Sequence, residues 1–356
     1  MQFFKNLFWN SRLRRLRALW RLGGQLAIML VMLLSLQIGL SLAGLALFLV
    51  QQGITPEQLS DPQIWQRALE PPGVQRFILE SPGLILASSL ATLLACLGSV
   101  WLAGRWLDRR PFAGFGLHFN HNWWLDLSFG LGLGAFLMLV IFLVELTAGW
   151  LTVSGVWITR NPDASFPVAL LPPLATFLAV GFYEELLSRG YQLRNLAEGL
   201  NGKAMGPRGA LVLATLLSSA VFGMLHILNP HASFISTFNI FVVGALLLAL
   251  GYLLTGELAI PIGVHIAWNF FQGNVFGFPV SGGDFSSATV FSIQQGGPDL
   301  WTGGAFGPEA GLLGLGATLL GGLLVVGWVR WRYGRVGLHT ALAEAPQRPE
   351  EVMLTR

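Results

Sequence analysis

Six polar side chains lie inside stretches of sequence that are otherwise almost entirely apolar. They are Glu184, Glu185, Arg189, His226, His265 and Asn269. Ionisable groups are costly inside a membrane and usually mark functional sites. A carboxylate can take a proton from water, while imidazole and carboxamide groups can orient that water or donate hydrogen bonds to a developing oxyanion. Together these residue types indicate water-mediated hydrolysis of an amide.

Helical spacing places these side chains in pairs. Glu185 and Arg189 are four residues apart, so on a helix they share one face and can form an ion pair. His265 and Asn269 are also four apart and face the same way. Taken alone, a histidine or an asparagine inside an apolar helix is more often an interhelical contact than a catalytic group. The spacing therefore predicts that each pair lies on one face of its helix. A functional site is indicated only by the two pairs together.

Depth gives an independent check on two of these residues. The apolar stretches 168–193 and 210–228 are joined by the short loop 201–209, which predicts an antiparallel helical hairpin. In such a hairpin, residues at equal depth average to the centre of the turn. The mean of positions 184 and 226 is 205, which falls inside the loop. We therefore expect Glu184 and His226 to lie at the same depth, side by side.

The composition places these groups in a membrane. Of the 356 residues 53% are hydrophobic and only 11% are charged, whereas soluble domains have roughly 25% charged residues. Stretches near the ~20 residues that cross a bilayer predict an all-α, polytopic transmembrane helix bundle with about eight spans. The spans are expected at 24–50, 84–107, 124–151, 168–193, 210–228, 234–254, 258–278 and 312–329. The single cysteine, Cys96, lies in one of them and is interpreted as a packing residue.

The basic residues predict the orientation of the bundle. With the N-terminus in the cytoplasm and eight spans, 18 of the 21 Lys and Arg residues fall on the cytoplasmic side, as the positive-inside rule expects. Both termini are therefore predicted to be cytoplasmic, and the protein to reside in the cytoplasmic membrane.

The same pattern divides the chain into four regions. Residues 1–23 predict a basic amphipathic helix on an anionic leaflet, and 24–165 hold spans one to three. Residues 166–280 hold spans four to seven and all six polar side chains. Residues 281–356 comprise a glycine-rich polar outer loop over 281–308, span eight and a cytoplasmic tail.

Three motifs occur in order on separate predicted spans: Glu184-Glu185-x-x-x-Arg189, Phe222-x-x-x-His226 and His265-x-x-x-Asn269. This arrangement, over about residues 166–280, resembles the CAAX protease and bacteriocin-processing (CPBP, Abi) family of intramembrane endopeptidases, which includes the type II CAAX prenyl endopeptidases. The resemblance implies peptide-bond cleavage in a membrane cavity, in which the first glutamate activates water. The two histidines and the asparagine would position that water and stabilise the oxyanion, and the second glutamate and the arginine would be supporting.

The resemblance leaves the cofactor open. The main expectation is that none is used, because the chain lacks a His-Glu-x-x-His zinc helix. Glu184, His226 and His265 could nevertheless bind zinc or another divalent metal with an open coordination position. The expected partners are the lipid bilayer and a membrane-associated peptide or protein, prenylated or a leader peptide, and no nucleic acid.

Two other functions remain open from the sequence. A non-catalytic membrane scaffold or immunity protein could keep the same fold, but a degenerate member is expected to lose a motif residue, and none is lost here. A proton-coupled transporter could use the same ionisable groups, although the sequence has no broken-helix repeat to favour it.

Overall fold

Long apolar helices account for most of the chain in the computed structural model, which describes residues 7–11, 13–69, 74, 77, 81–160 and 164–346. In chain order the helices are α1 (Ala18–Gln51), α2 (Pro62–Leu69), α3 (Pro82–Asp108), α4 (His121–Thr147), α5 (Phe166–Leu200), α6 (Gly206–Leu228), α7 (Phe234–Thr255), α8 (Ala259–Phe270), α9 (Asp299–Thr302) and α10 (Leu312–Tyr333). Within the described residues, α1, α3, α4, α5, α6, α7 and α10 are long and apolar enough to cross a membrane. The predicted all-α, polytopic bundle is confirmed.

The remaining predicted span, 258–278, is a shorter and more central helix. Helix α8 has 12 residues and continues through a five-residue π-helical turn, Phe271–Val275. Its residues from Ala259 to Asn269 are all buried, because it packs inside the bundle. Glycines make this possible: a Cβ at Gly263 would lie 2.5 Å from the carbonyl oxygen of Leu127 on α4. The backbones of α4 and α8 therefore touch, as small residues allow in membrane helix packing.

The N-terminal segment differs from the sequence prediction. Instead of one amphipathic helix over 1–23, strand β1 (Trp9–Asn10) pairs antiparallel with β2 (Arg15–Leu16), and α1 begins at Ala18. Residues 1–6 and 12 lie outside the described residues. The prediction of a helix was wrong for 9–17 because basic side chains that it placed on a leaflet surface are taken up in ion pairs inside the protein.

These ion pairs form a cluster at one end of the bundle, which we call the basic-end cluster. It consists of Arg15, Arg21, Asp108, Arg110 and Glu198. Arg21 lies 2.6 Å from Asp108 and 2.7 Å from Glu198, and Arg110 lies 3.1 Å from Glu198. Arg15 also pairs with Glu198. All five side chains are nearly inaccessible, so the cluster ties the start of α1 to the ends of α3 and α5.

The opposite end of the bundle is covered by residues 276–311, which we call the connector. The sequence predicts a polar loop over most of this range, but within it strand β4 (Ala288–Gln295) pairs antiparallel with β3 (Leu151–Thr159). The connector is fastened to the helices because the Asn274 side chain, in the π-helical turn after α8, donates to the carbonyl oxygens of Phe285 (2.9 Å) and Ala288 (2.7 Å). The strand pair therefore lies directly over the end of the central helix.

Candidate active site

Two of the three motif-bearing helices touch immediately beside the site. A Cβ at Gly181 on α5 would lie 2.6 Å from Ile266 Cγ1 and 3.0 Å from the Ile266 backbone nitrogen on α8. Such an approach requires glycine, since backbone atoms cannot yield. One turn further along α5 come Glu184 and Glu185, and next to Ile266 comes His265. The close crossing of α5 and α8 therefore brings the first and third motifs together.

Glu185, Arg189 and His265 form a buried hydrogen-bonded group at this crossing. Arg189 Nη1 and His265 Nδ1 each lie 2.8 Å from Glu185 Oε1. The predicted Glu185–Arg189 pair therefore forms, and both side chains are fully inaccessible. Because an ionised carboxylate only accepts hydrogen bonds, His265 carries a proton on Nδ1. Its Nε2 is then free to meet another group.

The helix changes its winding at this point. The residues after Glu185, Leu186–Leu193, form a π-helical segment that contains Arg189. Widened turns of this kind are frequent at functional sites. The local geometry of α5 thus departs from a regular α-helix at the residues that hold the buried carboxylate.

Helices α6 and α7 enclose Arg189 from the other side. Its Nη2 donates to the carbonyl oxygen of Gly244 at 3.2 Å, and its guanidinium carbon lies 4.4 Å from the centre of the Phe222 ring. A Cβ at position 244 would lie 2.8 Å from Nη2, so glycine leaves room for the guanidinium. Phe222, the aromatic residue of the second motif, therefore contributes packing and a cation–π contact.

Glu184 has a different environment from its neighbour. Its side chain is 24% exposed, while that of Glu185 is fully buried. Its Oε2 lies 3.6 Å from His265 Nε2, beyond a direct hydrogen bond, and has no hydrogen-bond partner among the described residues. A water molecule shared by these two atoms would satisfy both.

His226 ends helix α6, at the start of the 3₁₀ turn His226–Leu228. Its Nδ1 lies 2.7 Å from the carbonyl oxygen of Phe222. Because a carbonyl oxygen can only accept, Nδ1 carries the proton and Nε2 remains available. Within the described residues no hydrogen bond or ion pair joins His226 to Glu184; the direct neighbour of Glu184 is His265.

A small cavity brings His226, His265 and Asn269 together. Its volume is about 40 Å³, and it is also lined by Ser281 and Glu309 of the connector. Most of its lining is apolar, but the polar groups of these five residues give a cavity of this size the partners to hold one or a few water molecules. The cavity is thus formed by α6, α7, α8 and the connector. Glu184 does not line it and lies near Nε2 of His265.

Neither connector residue is predicted from the sequence. Ser281 and Glu309 carry no motif, and a lone glutamate just before an apolar span is typical of an interfacial residue. In the structure Glu309 is only 3% exposed. One sequence signal could have identified Glu309: no Lys or Arg lies near it in the sequence. A carboxylate without a local basic partner is either exposed to water or buried against donors from elsewhere in the chain.

The side chains do not fit a multidentate metal site. Among the described residues no group of three or more His, Cys, Asp or Glu side chains could hold a metal ion. This applies to Glu184, His226 and His265, the set that the sequence suggested.

The fold and the site together define a class: a polytopic bundle of apolar helices with paired carboxylates, imidazoles and a carboxamide at its centre. Residues 166–271 match the family model described as type II CAAX prenyl endopeptidase Rce1-like. The match includes all three motifs and confirms the resemblance drawn from them, and it supports a protease of the membrane in general. Searches of the curated proteins and of the solved structures found no match.

Proposed function

We propose that this protein is an intramembrane endopeptidase that hydrolyses a peptide bond in a membrane-associated peptide. The observation that carries the proposal is the contrast between two adjacent glutamates. Glu185 is fully buried and its Oε1 is held by Arg189 and His265, whereas Glu184 is 24% exposed and its nearest polar neighbour, His265 Nε2, is 3.6 Å from its Oε2. Glu185 is therefore held as part of the framework. In Glu184 the Oε2 atom is an inaccessible acceptor without a protein partner, for which a bound water is the fitting partner.

The roles follow from the available atoms. Glu184 takes a proton from a water molecule bound between its Oε2 and His265, and the water oxygen attacks the peptide carbonyl carbon. The carbonyl π bond breaks and its electron pair moves to oxygen. The oxyanion accepts a hydrogen bond from the carboxamide NH₂ of Asn269, which lines the cavity. His226 Nε2 adds a second donor only when the ring is doubly protonated, because its Nδ1 proton already goes to the Phe222 carbonyl oxygen.

Collapse of this intermediate completes the reaction. The carbonyl reforms, the carbon–nitrogen bond breaks, and the proton held by Glu184 passes to the leaving nitrogen. The products are an amine and a carboxylic acid, and the acid then loses its proton to water. Glu185 and Arg189 take no part in bond making and keep His265 oriented through its Nδ1.

The substrate class follows from the location and from the family match. A site formed by helices inside a bundle is reached by peptides that are themselves in or on the membrane. The description of the matched family names a prenyl endopeptidase. A prenylated peptide and an unprenylated leader peptide are therefore the two substrates to compare first.

The experiment uses the purified full chain in nanodiscs with fluorogenic peptides of both kinds. We expect cleavage by the wild type and a loss of about 10²–10⁴-fold in kcat for Glu184→Gln, the range of general acid–base contributions. The exposed Glu57 provides the control substitution Glu57→Gln, which should keep full activity. Full activity in Glu184→Gln would sink the assignment.

The same preparation separates the other functions considered from the sequence. A scaffold or immunity protein would show no cleavage of any peptide, and a transporter would show flux that depends on a pH gradient. Metal analysis of the purified protein and an assay after chelation decide whether a metal takes part. Variants at His226 and His265 would lose bound metal together with activity if these residues bind it.

A further inference from the structure

A second buried carboxylate faces the candidate site from the connector. Glu309 lies just before α10 and is 3% exposed. Its Oε2 accepts a hydrogen bond from Gln272 Nε2 at 2.5 Å, and its Oε1 accepts from the Ser281 backbone nitrogen at 3.1 Å and from the Ser281 hydroxyl at 3.3 Å. All the described partners of this carboxylate are neutral donors. The group is thus satisfied by hydrogen bonds without a cation.

The surrounding backbone is shaped to admit this carboxylate. Gly307 has a φ of +108°, and a Cβ there would lie 2.3 Å from the Pro279 carbonyl oxygen and 2.7 Å from Glu309 Oε2. Any larger residue would push the carboxylate out of place. Gln272 Nε2 also donates to Pro279, at 2.5 Å. The orientation of the Gln272 amide is therefore fixed, with its NH₂ group toward Glu309.

The partners of Glu309 connect it to both neighbouring helices. Gln272 lies three residues beyond Asn269, in the π-helical turn that follows α8. The carbonyl oxygen of Ser281 accepts a hydrogen bond of 3.0 Å from Asn229, three residues beyond His226 at the end of α6. Ser281 and Glu309 also line the same cavity as the motif residues. One carboxylate thus joins the connector to the ends of both helices.

We propose that Glu309 is a positioning residue of the hydrolytic site. Its carboxylate fixes Gln272 in the turn after α8 and Ser281 on the connector, and so sets the separation of the helix ends that carry His226 and Asn269. The inference rests on the proposed function for its catalytic consequence. Glu309 lies outside the region 166–271 that matches the family model.

The central test is Glu309→Gln in the full chain in nanodiscs. A carboxamide has nearly the same shape but offers one acceptor oxygen and one donor NH₂ group. It cannot accept from Gln272 and from Ser281 at once, because the Gln272 amide is fixed by Pro279. We expect kcat to fall at least about tenfold while KM changes less than about twofold, since a misplaced pair of helix ends impairs the transition state more than substrate binding.

A matched control is available at the same end of the bundle. Glu145 on α4 is also fully buried, and it also accepts a hydrogen bond from a connector glutamine, Gln295, at 2.9 Å. It does not line the cavity that holds the histidines. Glu145→Gln makes the identical chemical change and should leave kcat within about twofold of the wild type.

A double-mutant cycle tests the route of the effect. Gln272→Met removes the donor that Glu309 holds and keeps a side chain of similar length. If Glu309 acts through Gln272, the double variant should have a kcat close to that of the less active single variant, because both substitutions break the same Glu309–Gln272 hydrogen bond. Independent, multiplying losses would overturn the proposed route.

Hydrogen exchange separates this inference from the proposed function. The Ser281 amide donates to Glu309, so its exchange should accelerate at least about tenfold in Glu309→Met, which removes both acceptor oxygens, and stay unchanged in Glu145→Met. Unchanged exchange at Ser281 in Glu309→Met would overturn the inference, as would equal loss of kcat in Glu309→Gln and Glu145→Gln. A wild type that cleaves nothing, with faster exchange in Glu309→Met, would overturn the proposed function and support the anchoring.

Discussion

His265 and Glu185 share a hydrogen bond of 2.8 Å, from the imidazole Nδ1 to the carboxylate Oε1. The carboxylate has no access to solvent. This contact fixes the tautomer of His265, because the proton on Nδ1 leaves Nε2 without one unless the ring is charged. Nε2 is the atom that lies near Glu184. The second glutamate of the motif therefore acts on the first through an imidazole.

Paired substitutions can separate this orienting effect from stability. Glu185→Gln leaves Arg189 as an unpaired buried charge, which should cost about 3–5 kcal/mol in the free energy of unfolding. Adding Arg189→Met removes that charge and should recover most of the loss. We expect kcat to stay lowered about 10²-fold or more in both variants, because neither holds His265 as the carboxylate does. Unfolding in detergent and peptide cleavage are the measurements. Recovery of kcat in the double variant would contradict the orienting role.

The candidate site could be predicted in part from the sequence. The spacing of Glu185 and Arg189 predicted a pair that forms. The hairpin depth rule placed Glu184 beside His226, yet His265 is its direct neighbour. Depth along a hairpin says nothing about rotation of the helices about their axes, and α8, which supplies His265, is not part of the hairpin. Glu309 was missed because its contacts join residues distant in sequence.

The packing of α4 against α8 gives a second prediction, with two glycines of one helix as test and control. A Cβ at Gly130 would lie 2.5 Å from the Ile260 carbonyl oxygen and 3.0 Å from the Val264 nitrogen, whereas one at Gly132 would meet nothing within 4 Å. We expect Gly130→Ala to lower the free energy of unfolding by about 1–3 kcal/mol and to reduce kcat, since Val264 precedes His265. Gly132→Ala should be neutral or stabilising by up to about 1 kcal/mol. Equal effects of the two substitutions would contradict the close crossing.

The membrane-spanning helices could be predicted from the sequence because hydrophobicity alone identifies them. Seven predicted spans are long apolar helices, because a bilayer requires length and apolarity that a single sequence displays. The strand pair β3–β4 and the hairpin at Trp9–Leu16 were not predicted. Short strands depend on a partner far along the chain, and the basic residues near Arg15 resemble a membrane-binding helix until their acidic partners are known.

Breaking the basic-end cluster is expected to cost more in the free energy of unfolding than breaking an exposed ion pair elsewhere. Glu198→Gln removes the carboxylate that pairs with three buried guanidinium groups. The like charges left together should cost about 3–5 kcal/mol in the free energy of unfolding. Asp284→Asn breaks a pair with Arg160 whose side chains are 60% and 61% exposed, and such surface pairs contribute about 1 kcal/mol or less. Chemical unfolding in detergent measures both. A similar loss in the two variants would show that burial of the cluster is not what stabilises it.

The predicted orientation can be tested with the single native cysteine left in place, since Cys96 is fully buried. Thr152 on β3 and Lys203 in the loop between α5 and α6 are exposed at opposite ends of the bundle. With cytoplasmic termini, we expect a membrane-impermeant thiol reagent to label Thr152→Cys in intact cells. Lys203→Cys should react only after the cells are opened. The reverse pattern would contradict the orientation inferred from the basic residues and would place the connector in the cytoplasm.

The carboxyl group of Glu309 predicts a pH dependence of stability. Burial raises its pKa from an ordinary 4.5 to about 7, although hydrogen bonds from Gln272 and Ser281 oppose this. The folded protein therefore holds a proton between these values that the unfolded chain has lost. The stability gained from this proton is fully present below the unfolded pKa and is lost as the pH rises through about 7.

We therefore expect the free energy of unfolding of the wild type to fall, relative to Glu309→Gln, between about pH 5 and about pH 8. The slope should be at most about 1.4 kcal/mol per pH unit, the value for one proton. His226 and His265 are the other titratable groups that line its cavity, and both variants keep them, so their contribution cancels in the comparison. Glu57→Gln should keep the wild-type slope. Parallel curves for the wild type and Glu309→Gln would contradict the raised pKa of Glu309. The expected slope would show that the ionised Glu309 carboxylate lowers the free energy of unfolding, a cost that functional residues often carry.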